Sequence, residues 1–155
     1  LLKPHKNKEY TKILNMLYKY LGKGLTYDNS LTKVGKALLG DRYLGTFSVD
    51  VTLSKINKLA KLQPIFAFII NVDKRHEPGS HWISVVKKGD MFYIYDSFAR
   101  KLPNLIPKFL KTVKYKYTHV NGKSDQYDHS ENCGQRSLGV ILYGFKYGIS
   151  RIKDI

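Results

Sequence analysis

The segment Pro64–Val72 (PIFAFIINV) constrains the fold more than any other stretch of this chain. Ile65–Val72 forms an apolar run bounded by turn residues, which predicts a central strand covered on both faces rather than a half-solvated one. The run is less than half of the roughly 20 apolar residues that span a bilayer. A buried central strand requires a layer on each side of its sheet. A chain of 155 residues can supply both within a single domain, since about two thirds of the unfolded surface is hidden at that size.

The rest of the chain supplies partners for that strand. Ile13, Leu14, Leu17, Tyr18 and Leu21 recur at helical spacing and predict a helix over Tyr10–Leu21, stopped by Gly22 and Gly24. Asn29 or Ser30 is expected to cap a second helix through Leu31, Val34, Leu38 and Leu39, with Gly40 as its left-handed C-terminal residue. Tyr43–Val49 reads as a strand, and Leu53–Leu59 as a short helix. His81–Lys87 and Met91–Asp96, separated by Lys88-Gly89-Asp90, carry a β-hairpin signature. A helix over Leu105–Val113, a strand over Tyr115–Val120 and a polar loop Asn121–Asn132 follow. A closing helix begins at Cys133, with Leu138, Ile141, Leu142 and Phe145 on one face. The order predicts an α+β fold with a mainly antiparallel mixed sheet flanked by helices.

A single cysteine, Cys133, excludes a disulfide scaffold and a cysteine-rich zinc site. No signal peptide opens the chain, so a soluble, non-secreted protein with no membrane association is expected. His76, His81, His129 and Cys133 lack regular metal-ligand spacing, so no metal is expected. The formal charge is +15, from 27 Lys+Arg against 12 Asp+Glu. That balance suits either a polyanionic partner such as DNA or a solubilising surface. It is uneven: Lys108, Lys111, Lys114 and Lys116 fall in a stretch without acidic residues, interleaved with Phe109, Tyr115 and Tyr117, and are the candidate nucleic-acid contacts. A second basic block lies near the N-terminus.

Cys133 stands in the first turn of its helix, where backbone N–H groups and the helix dipole favour a thiolate; a buried structural thiol is the plainer reading of that placement alone. Other residues sharpen it. His81 begins one hairpin strand and Asp96 ends the other, so the two are expected at the same end of the sheet. A carboxylate bonded to an imidazole orients it toward a thiol, as nucleophilic catalysis requires. Gln126, in the loop before Cys133, is placed to donate to an oxyanion beside the Cys133 N–H. Asp125, Asp128 and Glu131 cluster in that loop just before Cys133 and would oppose thiolate formation unless they only solvate the loop.

Four separated motifs, LTKVGKALLGDRYLGTFSV, NVDKRHEPGSHWISV, FYIYDSF and QYDHSENCGQRSLGVILYG, occur in the same order as in the adenain-type cysteine proteases, which the chain resembles. These are the capsid-maturation enzymes of adenoviruses, virophages and Polinton-like elements, within the SUMO-protease superfamily. The resemblance covers roughly residues 28–148 and leaves 1–25 as a basic helical extension of a single domain. It implies a papain-like or adenain-like fold with the nucleophile at a helix N-terminus. It further implies His81 as general base, Asp96 as its orienting acid, Cys133 as nucleophile and Gln126 as oxyanion-hole donor. Trp82 follows the histidine as in the family, as a packing residue or a substrate contact. The implied reaction is cleavage of viral capsid precursor proteins, in the virion and the infected cell, by a monomer that needs no cofactor. An isopeptidase acting on ubiquitin-like modifiers is the alternative within the fold, and a DNA-binding protein with a structural cysteine is the alternative of another class. The adenoviral enzymes have Glu where this chain has Asp96, the residue used by the SUMO-protease branch. A disulfide-linked activating peptide would consume Cys133, whereas stimulation by DNA is compatible with the charge.

Overall fold

In the computed structural model, which describes residues 7–48, 58, 64–71, 81–89, 91–96, 116–119 and 132–155, Asn7 opens the first helix. Its side chain accepts hydrogen bonds from the backbone N–H groups of Glu9 and Tyr10, each at 3.1 Å, satisfying donors that a helix start leaves without partners. Helix α1 therefore runs Lys8–Leu21, slightly longer than its apolar periodicity indicates, and buries Tyr10, Ile13, Leu14 and Leu17. Helix α2 runs Asp28–Leu39. Neither Asn29 nor Ser30 caps it: the N-cap is Tyr27, with no side-chain cap bond. The Asp28 carboxylate instead accepts from the Asn29 N–H at 2.8 Å, which places a negative charge in the first turn. Gly40 does terminate α2 with a positive φ of 62°, but its ψ of −139° lies outside the left-handed helical region.

A 3-10 turn, Gly40–Arg42, leads into strand β1 (Tyr43–Ser48). Strands β2 (Ile65–Asn71), β3 (Trp82–Lys88), β4 (Met91–Tyr95) and β5 (Lys116–His119) follow. The closing helix α3 (Cys133–Tyr147) and a terminal 3-10 segment, Ile149–Asp154, complete the described elements. The expected helices over Leu53–Leu59 and Leu105–Val113 and the loop residues Asn121–Glu131 lie outside the described residues.

The five strands form one sheet in the order β1-β2-β3-β4-β5. The central pairs β2–β3 and β3–β4 are antiparallel, and the outer pairs β1–β2 and β4–β5 are parallel. The sheet is therefore mixed, antiparallel at its centre and parallel at its outer pairs. Strands β3 and β4 are joined by a tight turn, in which Gly89 takes a φ of 61°. Parallel neighbours need long crossovers, and the outer pairs have the chain length for them.

The apolar run does lie inside the sheet and is buried on both faces, although β3 is the middle strand. Ala67 and Ile69 join a core cluster with Leu14 and Leu17 of α1 and with Leu138 and Ile141 of α3. Phe66, Phe68 and Ile70 point the other way, into a second cluster with Ile83, Val85, Phe92 and Ile94, against which Leu44 and Phe47 pack. Each such side chain contributes roughly 1.5–3 kcal/mol of burial. The result is a sheet with α1 and α3 on one face and with the start of β3 and the end of β4 at the same end.

Candidate active site

The hairpin brings His81 and Asp96 together. Ser84 pairs with Tyr95, so His81, just before β3, and Asp96, just after β4, emerge at the same end of the sheet. Both lie one residue outside the strands predicted to contain them. His81 Nε2 stands 2.5 Å from Asp96 Oδ1, and the two residues are 2% and 3% exposed. An ionised carboxylate only accepts, so Nε2 carries the proton in this bond and Nδ1 is the ring nitrogen left for a neighbouring acid or nucleophile.

That neighbour is Cys133. It is the first residue of α3, is buried, and is close enough to the His81 ring for the two groups to interact electrostatically. Helix α3 is held against β3 by Ser137, whose Oγ donates to the Trp82 carbonyl at 2.9 Å. This bond fixes the helix one residue away from His81 along the chain. Burial alone would pull the His81 pKa down, but the hydrogen bonds and charges of Asp96 and Cys133 outweigh it and push the pKa up to about 9. The raised pKa makes the imidazole a stronger acceptor for a proton from the neighbouring sulfur.

The start of α3 is also fastened to α1 and the turn that follows it. Asn132 Nδ2 donates to Tyr18 Oη at 2.9 Å, and Gln135 Nε2 donates to the carbonyls of Gly22 and Gly24 at 2.8 and 2.9 Å. Tyr10 Oη donates to the Arg136 carbonyl at 3.1 Å. Gly134 packs so closely on Thr26 that a Cβ at residue 134 would lie 2.0 Å from the threonine Oγ1. Asn132, Gln135, Ser137 and Tyr18 carry no sequence signal for this role. Polar residues at a helix start are common, and their partners lie more than a hundred residues away in the case of α1.

The remaining expected residues divide by position. Trp82 is 7% exposed and belongs to the core cluster that contains α3, so its ring packs in the interior. Lys116 begins β5, with its backbone paired to Met91. Gln126, Lys108, Lys111 and Lys114 lie outside the described residues, as do His76 and His129. Among the described residues, no group of three or more His, Cys, Asp and Glu side chains is arranged to hold a metal ion. None of the described helices is long and apolar enough to cross a membrane.

No protein-family profile and no curated protein sequence matches the chain. Among solved structures, the crystal structure of ASFV pS273R protease superposes with a TM-score of 0.52 at 15% identity, covering 85% of this chain and 59% of that one. A selenomethionine form of the same protease gives a TM-score of 0.49 at 16% identity, covering 85% of this chain and 60% of that one. The chain thus spans about 59% of the length of that protease. A solved protease with the same chain path, together with the helix–sheet arrangement above, establishes the fold level: the chain has an α+β fold of the cysteine-protease type, shared with a viral protease.

Proposed function

We propose that this protein is a cysteine endopeptidase that cleaves viral precursor proteins, capsid components among them, with Cys133 as nucleophile, His81 as general base and acid, and Asp96 as the group that orients His81. The observation that carries this reading is the buried Asp96–His81 pair, with Nε2 of the histidine committed to the carboxylate and the charge of Cys133 felt at the ring. Viral precursor processing is favoured by the four motifs of the adenain-type enzymes and by the fold shared with a viral protease.

In this mechanism the Cys133 thiol gives its proton to His81 Nδ1, and the sulfur attacks the substrate carbonyl carbon. The negative charge that develops on the carbonyl oxygen is received by the Cys133 backbone N–H, in the first turn of α3, and by the Gln126 amide. The imidazolium then protonates the leaving amine. A thioester remains, and His81 takes a proton from water as that water attacks it, releasing the carboxylic acid and restoring the thiol. Asp96 stays ionised throughout and stabilises the imidazolium. The basic stretch containing Lys108, Lys111, Lys114 and Lys116 would keep the enzyme near packaged DNA.

The test is cleavage of a viral capsid precursor by the wild-type protein and by Cys133→Ala, beside a ubiquitin or SUMO conjugate. Cleavage of the precursor by the wild type alone supports the reading. Preference for the conjugate assigns the same site to deconjugation, and equal cleavage by Cys133→Ala ends the mechanism.

A further inference from the structure

The first turn of α3 is held in an unusual way. Of the four consecutive residues 132–135, Asn132 is tied to Tyr18, Gly134 is pressed on Thr26, and Gln135 is tied to Gly22 and Gly24. The fourth is Cys133. All of the partners fall within residues 18–26, the last turn of α1 and the turn that leaves it. Three independent attachments from one short segment therefore bracket the one thiol in the chain.

Packing alone does not require this chemistry. Asn132 and Gln135 are both 0% exposed, and burying an amide costs free energy that an apolar side chain would not incur. Gln135 places its one amide nitrogen between two carbonyls, so both of its hydrogens are used and its side chain has a single permitted orientation. Hydrogen bonds of this kind add little net stability but set direction. Direction is what Cys133 requires, because its sulfur must meet His81 while its N–H faces the substrate, and a displacement of about 1 Å can cost on the order of 10²-fold in rate.

We propose that residues 18–26 form a positioning clamp for Cys133, with Gln135 as the central positioning residue and the Asn132–Tyr18 bond as its second point of attachment. This inference rests on Cys133 being the nucleophile. It gives the N-terminal helix a role in the chemistry of a site that contains none of its residues, and it predicts that reactivity of the thiol depends on bonds made by side chains that never touch the substrate.

The experiment compares wild type, Gln135→Met, Tyr18→Phe and, as a control, Tyr147→Phe, which loses a bond to Glu9 (2.8 Å) at the far end of α3. Each is measured for thermal midpoint, for kcat and KM on the precursor substrate, and for the rate of Cys133 alkylation by iodoacetamide across the pH range, well below the midpoint. The expected result is a kcat lowered about 10- to 100-fold with KM unchanged in Gln135→Met, a smaller loss in Tyr18→Phe, and an alkylation profile displaced toward higher pH in both. Tyr147→Phe should keep the wild-type profile even if its midpoint falls. Wild-type kcat and alkylation profiles in both clamp variants overturn the proposal, as does an equal displacement in the control. If Gln135→Met does not fold, Tyr18→Phe decides by itself. If the wild type cleaves no peptide, the functional reading fails, while the alkylation profiles still decide whether the clamp controls the thiol.

Discussion

Asp96 holds His81 by Nε2 at 2.5 Å, so Nδ1 is the ring nitrogen left for other chemistry. The ring is thereby fixed in one tautomer and one orientation, and its basicity rises despite burial. Replacing Asp96 with Asn removes the charge but keeps the shape. The expected outcome is a His81 pKa well below about 9 and a loss of turnover on the order of 10²–10⁴-fold. NMR titration of the His81 ring and steady-state kinetics measure the two effects separately.

Stability should fall as the solution becomes alkaline. His81 has an ordinary pKa of 6.5 and a folded-state pKa raised to about 9, so the folded protein binds the proton more tightly than the unfolded chain does. The stabilisation is complete below 6.5, declines through the interval above it and is lost as the pH passes about 9. Urea midpoints measured across that interval should decrease with pH, and the slope should be reduced in Asp96→Asn and in Cys133→Ala. A midpoint that rises with pH in this window would contradict the raised pKa.

Gln126→Ala tests the oxyanion assignment. Removing one donor to a developing oxyanion costs roughly 10²–10³-fold in kcat. Binding of uncleaved substrate should change little, because the ground-state carbonyl carries little charge. A variant with unchanged kcat would remove Gln126 from the mechanism and leave the Cys133 N–H as the donor still named.

Gly134→Ala tests the close approach of α3 to the segment after α1. The added methyl would lie 2.0 Å from Thr26 Oγ1, so either the Thr26 side chain or the start of the helix must shift. Overpacking of this kind costs about 1–3 kcal/mol, equivalent to a fall of roughly 2–4 °C in midpoint per kcal/mol for a chain of this size. Calorimetry checks the stability, and pairing the change with Thr26→Ala, which removes Oγ1, should recover part of it.

DNA binding through the basic stretch is tested by titrating duplex DNA at several salt concentrations. Neutralising Lys108, Lys111, Lys114 and Lys116 together should weaken binding and flatten its salt dependence, by about one unit of slope for each phosphate that no longer meets a lysine. Salt-independent affinity, or a slope unchanged by the substitutions, would leave the +15 charge as a property of solubility.

Local pattern by itself determined much of this protein. The apolar run at β2, the glycine turn between β3 and β4 and the helical spacing after Cys133 each encode an element within a few residues, since side-chain periodicity and turn chemistry act over that range. Because β3 and β4 are joined by so short a turn, even the meeting of His81 and Asp96 was legible. The parallel pairing of β1 with β2 and of β4 with β5 was not, because strand direction across a long connection depends on which layers the chain must cover. Nor was the clamp on Cys133. Asn132, Gln135 and Ser137 look like ordinary helix-start polar residues until α1 and β3 are brought against them, and only tertiary packing removes the water that would otherwise satisfy their hydrogen bonds. The hairpin pair of the candidate site was therefore written in local sequence, while the attachment of residues 18–26 to the first turn of α3 is made by the fold alone.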